Sequence, residues 1–96
     1  MGVEELITPN REMIRRIAEK HGARNVRVFG SVARGDAGPE SDVDLLVDTG
    51  VWTSAWFPGG LVADLEELLG RRVDVVTERG LVADLRDRVL DEAVPV

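Results

Sequence analysis

The sequence predicts an α/β fold of the α+β kind, a small mixed β-sheet flanked by helices in the order α-β-(turn)-β-α-β-α. Three observations predict it. Stretches with helical apolar spacing alternate with short β-branched runs, the pattern of helices layered on a sheet. Glycine and turn-forming clusters mark the joints between them. Finally, 96 residues is below the roughly 100–200 expected per domain, so residues 1–96 are expected to form one domain around one core.

Each element has a local reason. From Pro9 to His21, Met13, Ile14, Ile17 and Ala18 recur at helical spacing. Thr8 can cap that helix, Pro9 suits its first turn, and Gly22 follows its end. Asn25 to Phe29 is short and β-branched and runs into Gly30-Ser31, a strand entering a turn. Ser31 to Arg34 can form one helical turn, and Gly35-Asp36-Ala37-Gly38-Pro39-Glu40 is a loop. Val43 to Val47 is an apolar run of strand length, as in a central strand covered on both faces. The connection from Thr49 to Gly60 carries both tryptophans. Leu61, Leu65, Leu68 and Leu69 then mark the buried stripe of a helix that stops at Gly70. Arg72 to Thr77 is the third strand. A last helix begins near Leu81, with Leu85, Val89 and Ala93 at helical spacing and charges opposite. GLVADL opens both of the last two helices, but stacked repeats need more units than this.

Composition excludes several classes of function. The chain has no cysteine, so disulfides, thiolate metal sites and cysteine nucleophiles are absent, which fits a cytoplasmic location. No apolar run approaches the ~20 residues of a membrane span, and the N-terminus lacks the order of a signal peptide. A net charge of −6 argues against general binding to nucleic acid or anionic membrane. Domains of this size bury a modest share of their surface and often lean on a metal, a partner or further copies of themselves, so a homo-oligomer stays open.

The chemistry lies in Phe29-Gly30-Ser31-Val32-Ala33-Arg34-Gly35 and in Ser41-Asp42-Val43-Asp44-Leu45-Leu46-Val47. Strand residues two apart face the same way, so Asp42 and Asp44 present paired carboxylates while Val43 and Leu45 point oppositely. Adjacent carboxylates repel, and a hard divalent cation such as Mg²⁺, bridging to phosphates, is the simplest compensation. Asp74 is a third carboxylate amid Val73, Val75 and Val76. If its strand adjoins that of Asp42 and Asp44, the three can hold two metal ions, and Asp74 can orient or deprotonate an acceptor hydroxyl. Gly30 allows close backbone approach to a phosphate, and Ser31 offers its amide and hydroxyl at the start of a helical turn. Asp36-Ala37 stands where a P-loop needs Lys-Ser/Thr, so that class is excluded.

These segments resemble the minimal members of the nucleotidyltransferase superfamily with the polymerase-β-like fold. GSVARG, then SDVDLLV, then VDVV match the family order of Gly-Ser, Asp-x-Asp and a third Asp on a later strand. The resemblance implies catalytic, metal-binding roles for Asp42, Asp44 and Asp74, contacts from Gly30 and Ser31 to the nucleotide phosphates, and ATP as donor. It further implies the antitoxin half of a HEPN/MNT toxin–antitoxin pair, transferring AMP to a tyrosine of a HEPN-type toxin. The residues alone define only the chemistry, and a non-enzymatic antitoxin acting by occlusion is the alternative.

The remaining polar and aromatic residues have bland readings beside functional ones. Arg34 either contacts nucleotide phosphate or anchors its loop through Asp36 or Glu40. Asp48 is expected to be solvated or capping at its strand end, and His21 to be structural at a helix C-terminus. Trp52, Trp56 and Phe57 either pack over the core or meet a partner. Arg71-Arg72 and Arg86/Arg88 are expected to be solvated or paired with nearby acids.

Overall fold

The computed structural model describes residues 1–96. Helix α1 (Val3–Leu6) and a 3-10 turn (Thr8–Asn10) lead into α2 (Arg11–Lys20), β1 (Ala23–Phe29), α3 (Gly30–Arg34) and β2 (Val43–Thr49). Helix α4 (Gly59–Leu69), β3 (Val73–Thr77), a 3-10 turn (Glu78–Gly80), α5 (Ala83–Glu92) and β4 (Val94–Pro95) complete the chain. The strands form one mixed sheet in the order β3-β2-β1-β4. β1 is antiparallel to both β2 and β4, whereas β2 and β3 are parallel and joined across α4.

Period-two alternation decides which face is core. Val43, Leu45 and Val47 of β2 are buried together with Val73 and Val75 of β3, Ile14 and Ala18 of α2, and Leu61 and Leu65 of α4. Full burial of each of these leucines stabilises the fold by about 2 kcal/mol. The opposite face carries Asp44, Leu46 and Asp48. Leu46 and Val89 of α5 are also buried but stand apart from that cluster.

The structure departs from the expected elements at several points. The helix expected from Pro9 begins at Arg11, because Thr8–Asn10 winds as a 3-10 turn with no side-chain cap. Its Met13 is 45% exposed, outside the buried stripe of Ile14 and Ala18. Leu85, expected on the inner face of the last helix, is 48% exposed, and Val89 is that helix's sole buried residue. α1 and β4 were not expected at all. β4 is two residues long, yet it gives β1 a second neighbour, and the amide of Val96 donates to the Val26 carbonyl at 2.9 Å.

Candidate active site

Three strand ends assemble the candidate site. Phe29, the last residue of β1, lies opposite Asp44 of β2, and Asp44 is in parallel register with Asp74 of β3. Register partners in a parallel pair share a face, so Asp44 and Asp74 are side by side. Asp42 lies one residue ahead of β2, and the Val43 amide beside it donates to the Arg72 carbonyl at 2.9 Å. Gly30 turns the chain from β1 into α3 with φ +74, and a Cβ there would collide with Oδ2 of Asp44. Only glycine combines that backbone with so close a carboxylate.

The charges are strongly uneven. Burial pushes the Asp44 acid above its ordinary value of 3.8, and the neighbouring negative charges of Asp74, Asp42 and Glu92 push the same way against Arg34. Asp42 Oδ1 lies 3.1 Å from Nε of Arg72. That oxygen is buried and makes no well-aligned hydrogen bond, so the contact is an ion pair by distance alone. Arg72 is itself 79% exposed, which keeps the pair weak. Arg71 is more firmly placed, since its Nη1 donates to the carbonyls of Gly38 (2.8 Å) and Ser41 (3.1 Å). Together with the Gly38 amide on Ser41 Oγ at 2.9 Å, it braces the loop that delivers Asp42.

The Gly30 turn has an unexpected neighbour. The Gly30 amide donates to Oε1 of Glu92, at the end of α5, at 2.7 Å. Arg34 Nη1 lies 3.3 Å from each Glu92 oxygen, and its Nε 3.5 Å from Asp36 Oδ2. Arg34 is thus turned toward two acids, one of them the expected Asp36 and the other Glu92 in place of Glu40. Ser31 sits in the first turn of α3, where its carbonyl accepts the Asp36 amide at 3.0 Å.

A hard divalent cation fits this donor set. Carboxylate oxygens are its preferred ligands, Asp42 Oδ1 is buried without a hydrogen-bond donor, and Asp44 carries excess negative surroundings. No three acidic or histidine side chains close on one point. Like charges splay apart, and Asp42 is drawn toward Arg72.

The other residues singled out by sequence fall outside this cluster. Asp48 pairs with Arg27 Nη2 at 2.8 Å and accepts from Asn25 Nδ2 at 2.9 Å, so it is bonded instead of solvated. His21 is buried, with Nδ1 2.7 Å from Ser54 Oγ and Nε2 2.7 Å from Asp64 Oδ2. This structural role was expected, but it ties down the tryptophan loop as well as ending a helix. In that loop Trp52 and Trp56 are 59% and 92% exposed, while Phe57 packs against the core. Arg86 pairs with Glu78 at 2.9 Å.

Two features missed by sequence reasoning are Glu92 and Arg71. A glutamate among alternating charges on a helix has no distinguishing pattern, and an arginine that binds backbone carbonyls has none either.

Carboxylates paired across parallel strands beside a glycine turn on an α/β sheet are an arrangement suited to metal-assisted transfer of a nucleotide. Residues 11–96 match the family model described as nucleotidyltransferase domain, and the chain belongs to that family of enzymes. It is 43% identical over 77 residues to a Methanocaldococcus jannaschii chain named as a protein adenylyltransferase, covering 80% of this chain and 83% of the other. It is 39% identical to the protein adenylyltransferase MntA of Thermococcus cleftensis, covering 98% of this chain and 92% of that one. A solved structure described as a minimal nucleotidyltransferase superposes with a TM-score of 0.85 at 48% identity, covering 100% of this chain and 97% of the other. A toxin–antitoxin structure with AMP-PNP shares the fold, with a TM-score of 0.76 at 22% identity over 90% of this chain and 71% of that one.

Proposed function

We propose that this enzyme transfers AMP from ATP to a hydroxyl, a tyrosine of a HEPN-type toxin, and so acts as the antitoxin in the cytoplasm. The observation that carries the reading is the parallel register of Asp44 with Asp74 directly beside the Gly30 turn. The naming of its relatives as protein adenylyltransferases supports the acceptor class.

In this reading Gly30, Ser31 and Arg34 hold the triphosphate, and Asp42, Asp44 and Asp74 hold Mg²⁺. A divalent cation held by these carboxylates would supply neutralisation of phosphate charge. Asp74 is the exposed member of the set, open to a hydroxyl arriving from solvent. Its carboxylate orients that hydroxyl and accepts its proton as the oxygen bonds to the α-phosphorus and the bond to the pyrophosphate oxygen breaks. Catalysis is then mainly positioning and charge neutralisation, and the acceptor is delivered by a second protein.

Incubation of the folded chain with labelled ATP, Mg²⁺ and its cognate toxin tests this. Label on the toxin, and a mass increase of one or more whole AMP units, is expected. An unlabelled toxin, or neutralisation that survives the double substitution Asp42→Asn with Asp44→Asn, overturns it in favour of occlusion.

A further inference from the structure

Glu92 is held at the place where the nucleotide reading puts a phosphate. Its Oε1 takes the Gly30 amide at 2.7 Å, and its two oxygens face Arg34 Nη1 at 3.3 Å each. A carboxylate on a backbone amide and an arginine presents a pair of anionic acceptor oxygens, as a phosphate does. The surroundings disfavour this arrangement, since Glu92 adds negative charge near Asp44, which already feels the charges of Asp74 and Asp42. The amide and the guanidinium are what hold it there. The Gly30 amide has one proton, so Glu92 and a phosphate oxygen cannot both accept it along one line.

We propose that Glu92 is an internal competitor for the phosphate position, and that its displacement sets the affinity of this chain for nucleoside triphosphates. The inference rests on the nucleotide reading above. Release needs no unfolding. The backbone beyond Glu92 is fixed, because Val94 and Pro95 pair with Val28 and Arg27 and the Val96 carbonyl accepts Arg15 Nε at 2.8 Å. α5 ahead of it is loosely held, with Val89 its only buried residue. The moving part is therefore the Glu92 side chain, with the end of α5 yielding around it. Apparent affinity is lowered by the fraction of molecules in which the carboxylate is engaged. If nine in ten are engaged, the penalty is roughly tenfold.

The test uses the full chain in two measurements. In nucleotide-free protein, the Gly30 amide proton should resonate far downfield, as charge-assisted donors do, and move upfield in Glu92→Ala and by less in Glu92→Gln. Titration with Mg²⁺ and AMP-PNP by calorimetry should give a Kd roughly tenfold lower for Glu92→Ala than for the unmodified chain, with Glu92→Gln between them. An unmoved Gly30 amide overturns the proposal independently of any nucleotide. A Kd for Glu92→Ala that is equal or higher overturns it with the nucleotide reading intact. Absence of AMP-PNP binding by every variant overturns the nucleotide reading and the competitor with it. Glu92→Gln keeps an acceptor oxygen at the amide, so it serves if the alanine variant fails to fold.

Discussion

Asp44 shows how one residue can oppose stability while serving the site. Its folded acid is raised, so the folded chain holds that proton more tightly than the unfolded chain. Stability therefore falls as pH rises through the ordinary value of 3.8 toward the raised folded one, and the penalty stays in place above it. Asp44→Asn should raise Tm in metal-free buffer, read by calorimetry, and a lowered Tm would contradict the charge crowding described. The same change should lower transfer by on the order of a hundredfold or more. Gly30→Ala should damage both properties, because its Cβ meets the Asp44 carboxylate and its φ of +74 disfavours a side chain. A wild-type Tm for that variant would contradict the packing described. That Asp44 and Asp74 lie side by side was legible, because charge in an otherwise apolar strand has no cheap structural explanation. Glu92 was not, because charge on an exposed helix face is ordinary, and only the three-dimensional path of α5 brings it to Gly30.

Among the elements, the 50–58 connection takes its side-chain hydrogen bond from His21, alongside the packing of Phe57 on the core. The Ser54 amide donates to the His21 carbonyl at 3.1 Å, while the imidazole joins Ser54 to Asp64 of α4. His21→Ala removes both side-chain bonds and leaves a small void, with an expected cost of about 2–3 kcal/mol in urea unfolding. A changed tryptophan emission should accompany it, since Trp52 and Trp56 share that loop. An unchanged unfolding midpoint would count against this bracing role. In β1, the register shift between Arg24 and Arg27 is centred on Asn25, whose φ is +51. Asn25→Val should cost about 1–2 kcal/mol, because β-branched residues are poorly tolerated there. Helices and central strands were legible through apolar period. The bulge, the four-residue α1 and the two-residue β4 are too short to carry one, and Leu85 kept helical spacing with no neighbour to cover it.

For the whole molecule, acid stability reflects carboxylates held below their ordinary value. Asp48 is held there first by the Asn25 hydrogen bond and then by Arg27, and Asp64 first by His21 and then by Lys20. Such groups stabilise the fold above the unfolded value of 3.8 and lose that contribution as pH falls through their folded values. Urea midpoints should thus decline below about pH 4. In Asp48→Asn the decline should be shallower, and an identical slope would remove Asp48 from the account.

The sheet order β3-β2-β1-β4 also bears on how the molecule comes into being. Arg27 pairs with Pro95, Asp44 with Asp74, and Gly30 with Glu92, so several contacts in and around the candidate site join distant parts of the chain. Contacts of this kind form slowly and late, since the chain loses loop entropy before any of them is made. A chain with only helices α2 and α4 formed has no aligned carboxylates. Catalytic competence should therefore emerge in one step with the final fold, leaving a half-folded enzyme idle.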